Sequence, residues 1–122
     1  MLRVLIVEDD PSLIQLYSSA LQGEYEVVTA RNGAEGLSHI IAGGFSLVLL
    51  DVMMPEMDGL TVLSRLQKET VKVPNGGIVV MTNLASKVVE DQAKSLGALA
   101  CVDKTELSAQ ALPAIIKQWI HD

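Results

Sequence analysis

A single cysteine, Cys101, means that no internal disulfide can form. A chain that must fold without one fits a reducing compartment. No apolar run approaches the roughly 20 residues that cross a bilayer. Met-Leu-Arg-Val at the N-terminus enters a strand-like stretch at once, without the layout of a signal peptide. Basic charge is also short: nine Lys and Arg against fifteen Asp and Glu leave a net charge of −6, and the nine are scattered. Such a surface repels a phosphate backbone, which argues against direct nucleic-acid binding. Together these absences predict a cytoplasmic protein that contacts neither membrane nor nucleic acid directly.

Internal repeats, low-complexity tracts and linkers are missing as well. At 122 residues the chain has the usual size of one domain, so residues 1–122 are expected to form a single unit. Its 49% hydrophobic content must then fill one core.

What is present is an alternation of two patterns. Short runs rich in Val, Ile and Leu occupy 2–7, 27–29, 45–50, 78–81 and 99–102. Their near-continuous apolarity suggests strands covered on both faces, as in a parallel sheet. Between them lie helically spaced sets: Leu13, Ile14, Tyr17 and Leu21; Leu37, Ile40 and Ile41; Leu60, Leu63 and Leu66. Asp10 before Pro11, and Asn32 followed by Glu35, read as helix starts; Asp58 and the 83–86 stretch are weaker ones. A fourth helix is expected over 86–95, stopping at Leu96-Gly97. Pro113 is awkward inside a helix, so a loose turn from Thr105 should precede a last helix starting at 110–112. Five β-α units joined by right-handed crossovers give a doubly wound α/β fold with helices on both sides.

Ligands of such sheets bind outside the carboxyl ends of the strands. There the sequence places Glu8, Asp9 and Asp10, then Asp51, Thr82, Asp103 and Lys104. Crowded carboxylates repel one another unless a hard cation neutralises them, so Glu8, Asp9 and Asp51 read as a Mg²⁺ site. Asp10, just before Pro11, reads as a cap. A carboxylate beside Mg²⁺ can attack a phosphoryl group while a lysine and a hydroxyl neutralise its equatorial oxygens. Asp51, Lys104 and Thr82 supply those parts. Met53, Met54 and Met57 are expected to pack the loop after Asp51, and His39 and His121 to lie on the surface.

The segments VLIVEDDP, LVLLDVMMPEMDG, IVVMTN and CVDK, in that order, resemble the receiver domain of two-component response regulators (the CheY-like superfamily) over essentially the whole chain. The resemblance implies a flavodoxin-like five-stranded sheet of order 2-1-3-4-5. It implies Asp51 as phosphoacceptor, Glu8 and Asp9 as the acidic pair, Thr82 and Lys104 as the conserved hydroxyl and lysine, and the Met53 carbonyl as a further Mg²⁺ ligand. A histidine kinase or histidine phosphotransfer protein would be the donor and an unknown protein the downstream partner, with the domain a monomer or weak homodimer. It would catalyse only its own phosphorylation and dephosphorylation, and with the chain ending after the fifth helix no output domain is expected. Three positions depart from the family pattern. Cys101 replaces a Tyr or Phe, Thr105 replaces a proline that often follows a cis bond, and Asn83 replaces a small residue. Cys101 and Asn83 favour an alternative, a pseudo-receiver that acts by protein contact without phosphorylation, which the intact acidic cluster, Thr82 and Lys104 oppose. A dinucleotide or flavin enzyme would need a glycine-rich loop where Glu8-Asp9-Asp10-Pro11 stands. An aspartyl-phosphate hydrolase of the haloacid-dehalogenase type would need an acid at Met53.

Overall fold

The computed structural model describes residues 1–83 and 86–120. Five parallel strands, β1 (Arg3–Val7), β2 (Glu26–Ala30), β3 (Leu47–Asp51), β4 (Gly77–Thr82) and β5 (Ala100–Asp103), form one sheet in the order 2-1-3-4-5. The helices between and after them are α1 (Pro11–Leu21), α2 (Gly33–Ala42), α3 (Gly59–Leu66), α4 (Lys87–Ser95) and α5 (Leu112–Lys117). The doubly wound fold expected from the sequence is therefore the one observed.

Covering on both faces explains the unbroken apolar runs. Leu5, Val7, Val48, Leu50 and Val80 face the layer of α2, α3 and α4, where they meet Ile40, Val62, Leu63 and Ala93. Val4, Ile6, Leu47, Leu49, Val79 and Met81 face the other layer, against Tyr17 and Leu21 of α1 and Leu112 and Ile116 of α5. Strand ends differ from the apolar runs by a residue or two, because hydrophobicity marks burial whereas the ladder continues one position into polar residues. Asp51 pairs with Met81 and Asp103 with Thr82.

The starts of the first four helices each carry a side-chain cap, whereas α5 begins after Ala111 without one. Asp10 Oδ1 accepts from the Ser12 N–H at 2.8 Å, Asp58 Oδ1 from Thr61 at 2.8 Å, and Ser86 Oγ from Val89 at 3.2 Å. Asn32 accepts from the Glu35 N–H and donates to its carboxylate, both at 2.9 Å. Pro113 sits in the first turn of α5, where its missing N–H has no cost. Helix α5 stops at Lys117, short of Trp119 and Ile120, which still pack against the core.

One surface assignment and one loop-packing assignment need correction. His39 is half-buried, its ring edge-on to Phe45 at 6.3 Å, because the last turn of α2 lies over that ring. Met53 does not pack the loop: its side chain is 61% exposed, and Met54 turns inward instead. His121 lies outside the described residues.

The loop leaving α2 depends on Gly43, at φ +80°, where an added Cβ would overlap the Val73 carbonyl oxygen. Gly43→Ala would be both strained and too close to its neighbour. It is expected to cost about 3 kcal/mol or more, read as a lower urea midpoint at unchanged slope.

Candidate phosphoacceptor site

The carboxyl ends of β1, β3, β4 and β5 form one rim. Glu8 follows β1 directly and its N–H donates to Ala30 O at 3.0 Å, which fixes the chain as it leaves the sheet. Asp51 is the last residue of the fully buried strand β3. Gly59, at the start of α3, lies so near that a Cβ there would meet the Asp51 carbonyl oxygen. Thr82 ends β4 and is almost fully buried. Asp103 ends β5, and Lys104 opens a 3₁₀ turn, Lys104–Glu106.

These positions converge. Lys104 Nζ lies 2.6 Å from Glu8 Oε1 and 3.1 Å from Asp51 Oδ1, with both acids fully buried. Glu8 Oε2 accepts from the Asp10 N–H at 3.1 Å, and Asp51 Oδ1 from the Met53 N–H at 3.1 Å. Glu8, exposed Asp9 and Asp51 each offer a carboxylate oxygen within 4.8 Å of the others. Asp51 Oδ2 is buried and has no hydrogen-bond partner among the described residues. Three mutually close carboxylates and an unpartnered buried oxygen are a donor set that fits a hard divalent cation.

Burial sets the electrostatics. It pushes the Glu8 carboxyl up to about 7, against the opposing pull of Lys104 and the Asp10 N–H. The Asp51 carboxyl is raised for the same reason, only partly offset by Glu8, Lys104 and the Met53 N–H. Burial would depress the Lys104 ammonium, but hydrogen bonding to Glu8 and the charges of both acids outweigh it and hold the ammonium above its ordinary value. One cation thus stands between two desolvated acids.

Every rim residue singled out from the sequence stands on this rim, and Asp10 is the cap it was taken for. Sequence reasoning missed the hydrogen bonds among them. The N–H groups of Asp10 and Met53 tie down one oxygen of each buried acid, and Asp103 and Thr105 build the turn that presents Lys104. The pattern Asp-x-Thr was the available signal. At the departures, the Lys104–Thr105 bond is not cis and Asn83 is exposed. Cys101 packs half-buried against the core under α4, where burial pushes its thiol up.

The strand order 2-1-3-4-5 with Glu8 and Asp9 after the first strand and Asp51 at the end of the third fits an α/β domain of the CheY-like class. The family model for the response regulator receiver domain matches residues 4–117, and the chain belongs to that family. It is 37% identical over 105 residues to the transcriptional regulatory protein CpxR homolog of Haemophilus influenzae, covering 85% of this chain and 44% of that protein. Two further curated relatives, the transcriptional regulatory proteins YkoG of Bacillus subtilis and DltR of Streptococcus agalactiae, are spanned to only 32% and 33% of their length. The structure superposes on a CheY-like receiver domain protein from Methanospirillum hungatei with a TM-score of 0.82 at 28% identity, covering 97% of this chain and 92% of that one. It also matches the response regulator TrrA of Thermotoga maritima in complex with Mg(2+)-BeF, with a TM-score of 0.78 at 29% identity, covering 98% and 100% of the two chains. Receiver domains of two-component regulators work in phosphorylation-based signalling, and the chain is one of them by family.

Proposed function

We propose that Asp51 accepts a phosphoryl group, in a Mg²⁺-dependent reaction, from the phosphohistidine of a histidine kinase or phosphotransfer protein in the cytoplasm. The altered rim is then read by a downstream protein. The observation that carries this is the contrast between the two oxygens of Asp51. Oδ1 is held by the Met53 N–H and Lys104, while Oδ2 has no hydrogen-bond partner among the described residues.

Glu8, Asp9, Asp51 and the Met53 carbonyl would hold Mg²⁺, which supplies charge neutralisation at the phosphoryl oxygens. Similarity to a regulator solved with Mg(2+)-BeF supports that assignment. An oxygen of Asp51 forms the new O–P bond as the P–N bond of phosphohistidine breaks, its electron pair returning to the imidazole nitrogen. The carboxylate needs no base, because a cation beside it favours its ionised form. Lys104 and Thr82, beside it on the rim, neutralise the equatorial oxygens of the loose transition state.

Intact-protein mass after incubation with acetyl phosphate tests this directly. One phosphoryl adduct is expected on the native chain with Mg²⁺, and none on Asp51→Asn or after chelation. Absence of any adduct, together with no binding of beryllofluoride, would leave the pseudo-receiver reading in possession.

A further inference from the structure

Lys104 carries a long side chain whose ammonium must be delivered to two buried acids from the end of an edge strand. Its side chain is only 8% exposed, so nearly all its rotamer freedom is surrendered at the site. That delivery depends on where the Lys104 backbone is held. Ladder pairing ends one residue earlier, at Asp103, opposite Thr82.

Beyond that point the chain is fixed by the side chains flanking Lys104. Asp103 Oδ1 accepts from the Thr105 N–H at 2.9 Å and from the Thr105 hydroxyl at 2.8 Å. The Leu107 N–H donates back to Lys104 O at 3.0 Å, closing the turn on the other side. Lys104 is thus bracketed between a side-chain clasp and a backbone bond. The clasp also holds the Asp103 carboxyl below the usual range, so it stays ionised and accepting wherever the site works.

We infer that Asp103 and Thr105 are positioning residues that hold the Lys104 backbone so that its ammonium reaches Asp51 and Glu8. The inference rests on the proposed phosphoacceptor role of Asp51 and deepens it. Neither residue touches the reacting atoms; both act through Lys104.

The test is the rate of phosphorylation by acetyl phosphate with Mg²⁺ for Asp103→Ala, Asp103→Asn and Thr105→Ala, each in the native and the Lys104→Met background. Misplacing a reacting group by about 1 Å can cost up to about a hundredfold, so Asp103→Ala is expected to slow the reaction about tenfold. Thr105→Ala keeps its N–H and should lose about threefold, while Asp103→Asn keeps the accepting oxygen and should stay within about twofold of native. With Lys104 already replaced, Asp103→Ala should change the residual rate by less than about twofold, since residues acting through one another are non-additive. A native rate for Asp103→Ala, or equal slowing in both backgrounds, overturns the inference. If the native chain takes no phosphoryl group, the phosphoacceptor reading fails instead. The clasp is then decided by urea midpoints of the metal-free proteins at pH 8: coupled effects of Asp103→Ala and Lys104→Met support it, and additive effects overturn it.

Discussion

Lys104→Met is expected to lower the melting temperature of the metal-free protein steeply at pH 8 and hardly at all at pH 5. Methionine fills much the same space as the lysine stem, so packing changes little. What changes is that Glu8 and Asp51, both fully buried, lose the cation between them. Removing one partner from a buried charged group costs about 3–5 kcal/mol when the remaining charge has no other relief. Here relief exists, because the two acids can share a proton. At pH 8 that proton must be taken from a solvent that holds few, and most of the cost stands. At pH 5 it is readily available, and most of the cost disappears. Saturating Mg²⁺ should recover the loss at pH 8. Lys104→Arg should recover only part of it, since a planar fork does not replace a compact ammonium in so small a space. Melting curves at the two pH values decide the matter. Equal losses at pH 5 and pH 8 would mean that Lys104 stabilises through its stem rather than its charge.

That cation between two acids also shows where sequence reading works and where it stops. Strand ends were legible because an apolar run that breaks into acid, hydroxyl or ammonium changes character within one residue. Glu8, Asp51, Thr82 and Lys104 therefore fall on one rim by sequence alone. The helix caps were legible for a similar reason: Asp10-Pro11 and Asn32-x-x-Glu35 are local chemistry. The direct contact of Lys104 with both acids was not legible, because it spans three strands and depends on register and rotamer. Nor was the inward turn of Met54 beside an outward Met53, since two adjacent methionines look alike until the loop's backbone sets their directions. His39 failed likewise, because nothing local announces that Phe45, after the next turn, will lie under it.

The same burial gives the metal-free native chain an unusual pH dependence. Glu8 titrates at about 7 when folded against an ordinary 4.5, and Asp51 is raised too. Across that window the folded chain binds more protons than the unfolded one, so stability falls as pH climbs from 4.5 to 7 and stays low above it. For Glu8 alone the rise from 4.5 to about 7 amounts to between about 3 and 4 kcal/mol. The other shifted charges act elsewhere. Asp103, held low, contributes stability that is lost only as pH falls through the acid range, and Lys104, held high, contributes stability lost only in the alkaline range. The metal-free melting temperature should therefore drop by on the order of 10 °C between pH 5 and pH 8. Mg²⁺ should oppose the drop, because it binds the ionised acids and competes with the protons that pH 5 supplies. At about a hundred times its dissociation constant it would add about 2.7 kcal/mol at pH 8, and less at pH 5. Calorimetric melts across this range, with Mg²⁺ and with chelator, give the sign. A metal-free melting temperature that climbs steadily from pH 5 to pH 8, or a Mg²⁺ shift larger at pH 5 than at pH 8, would show that the buried acids are not the groups governing stability here.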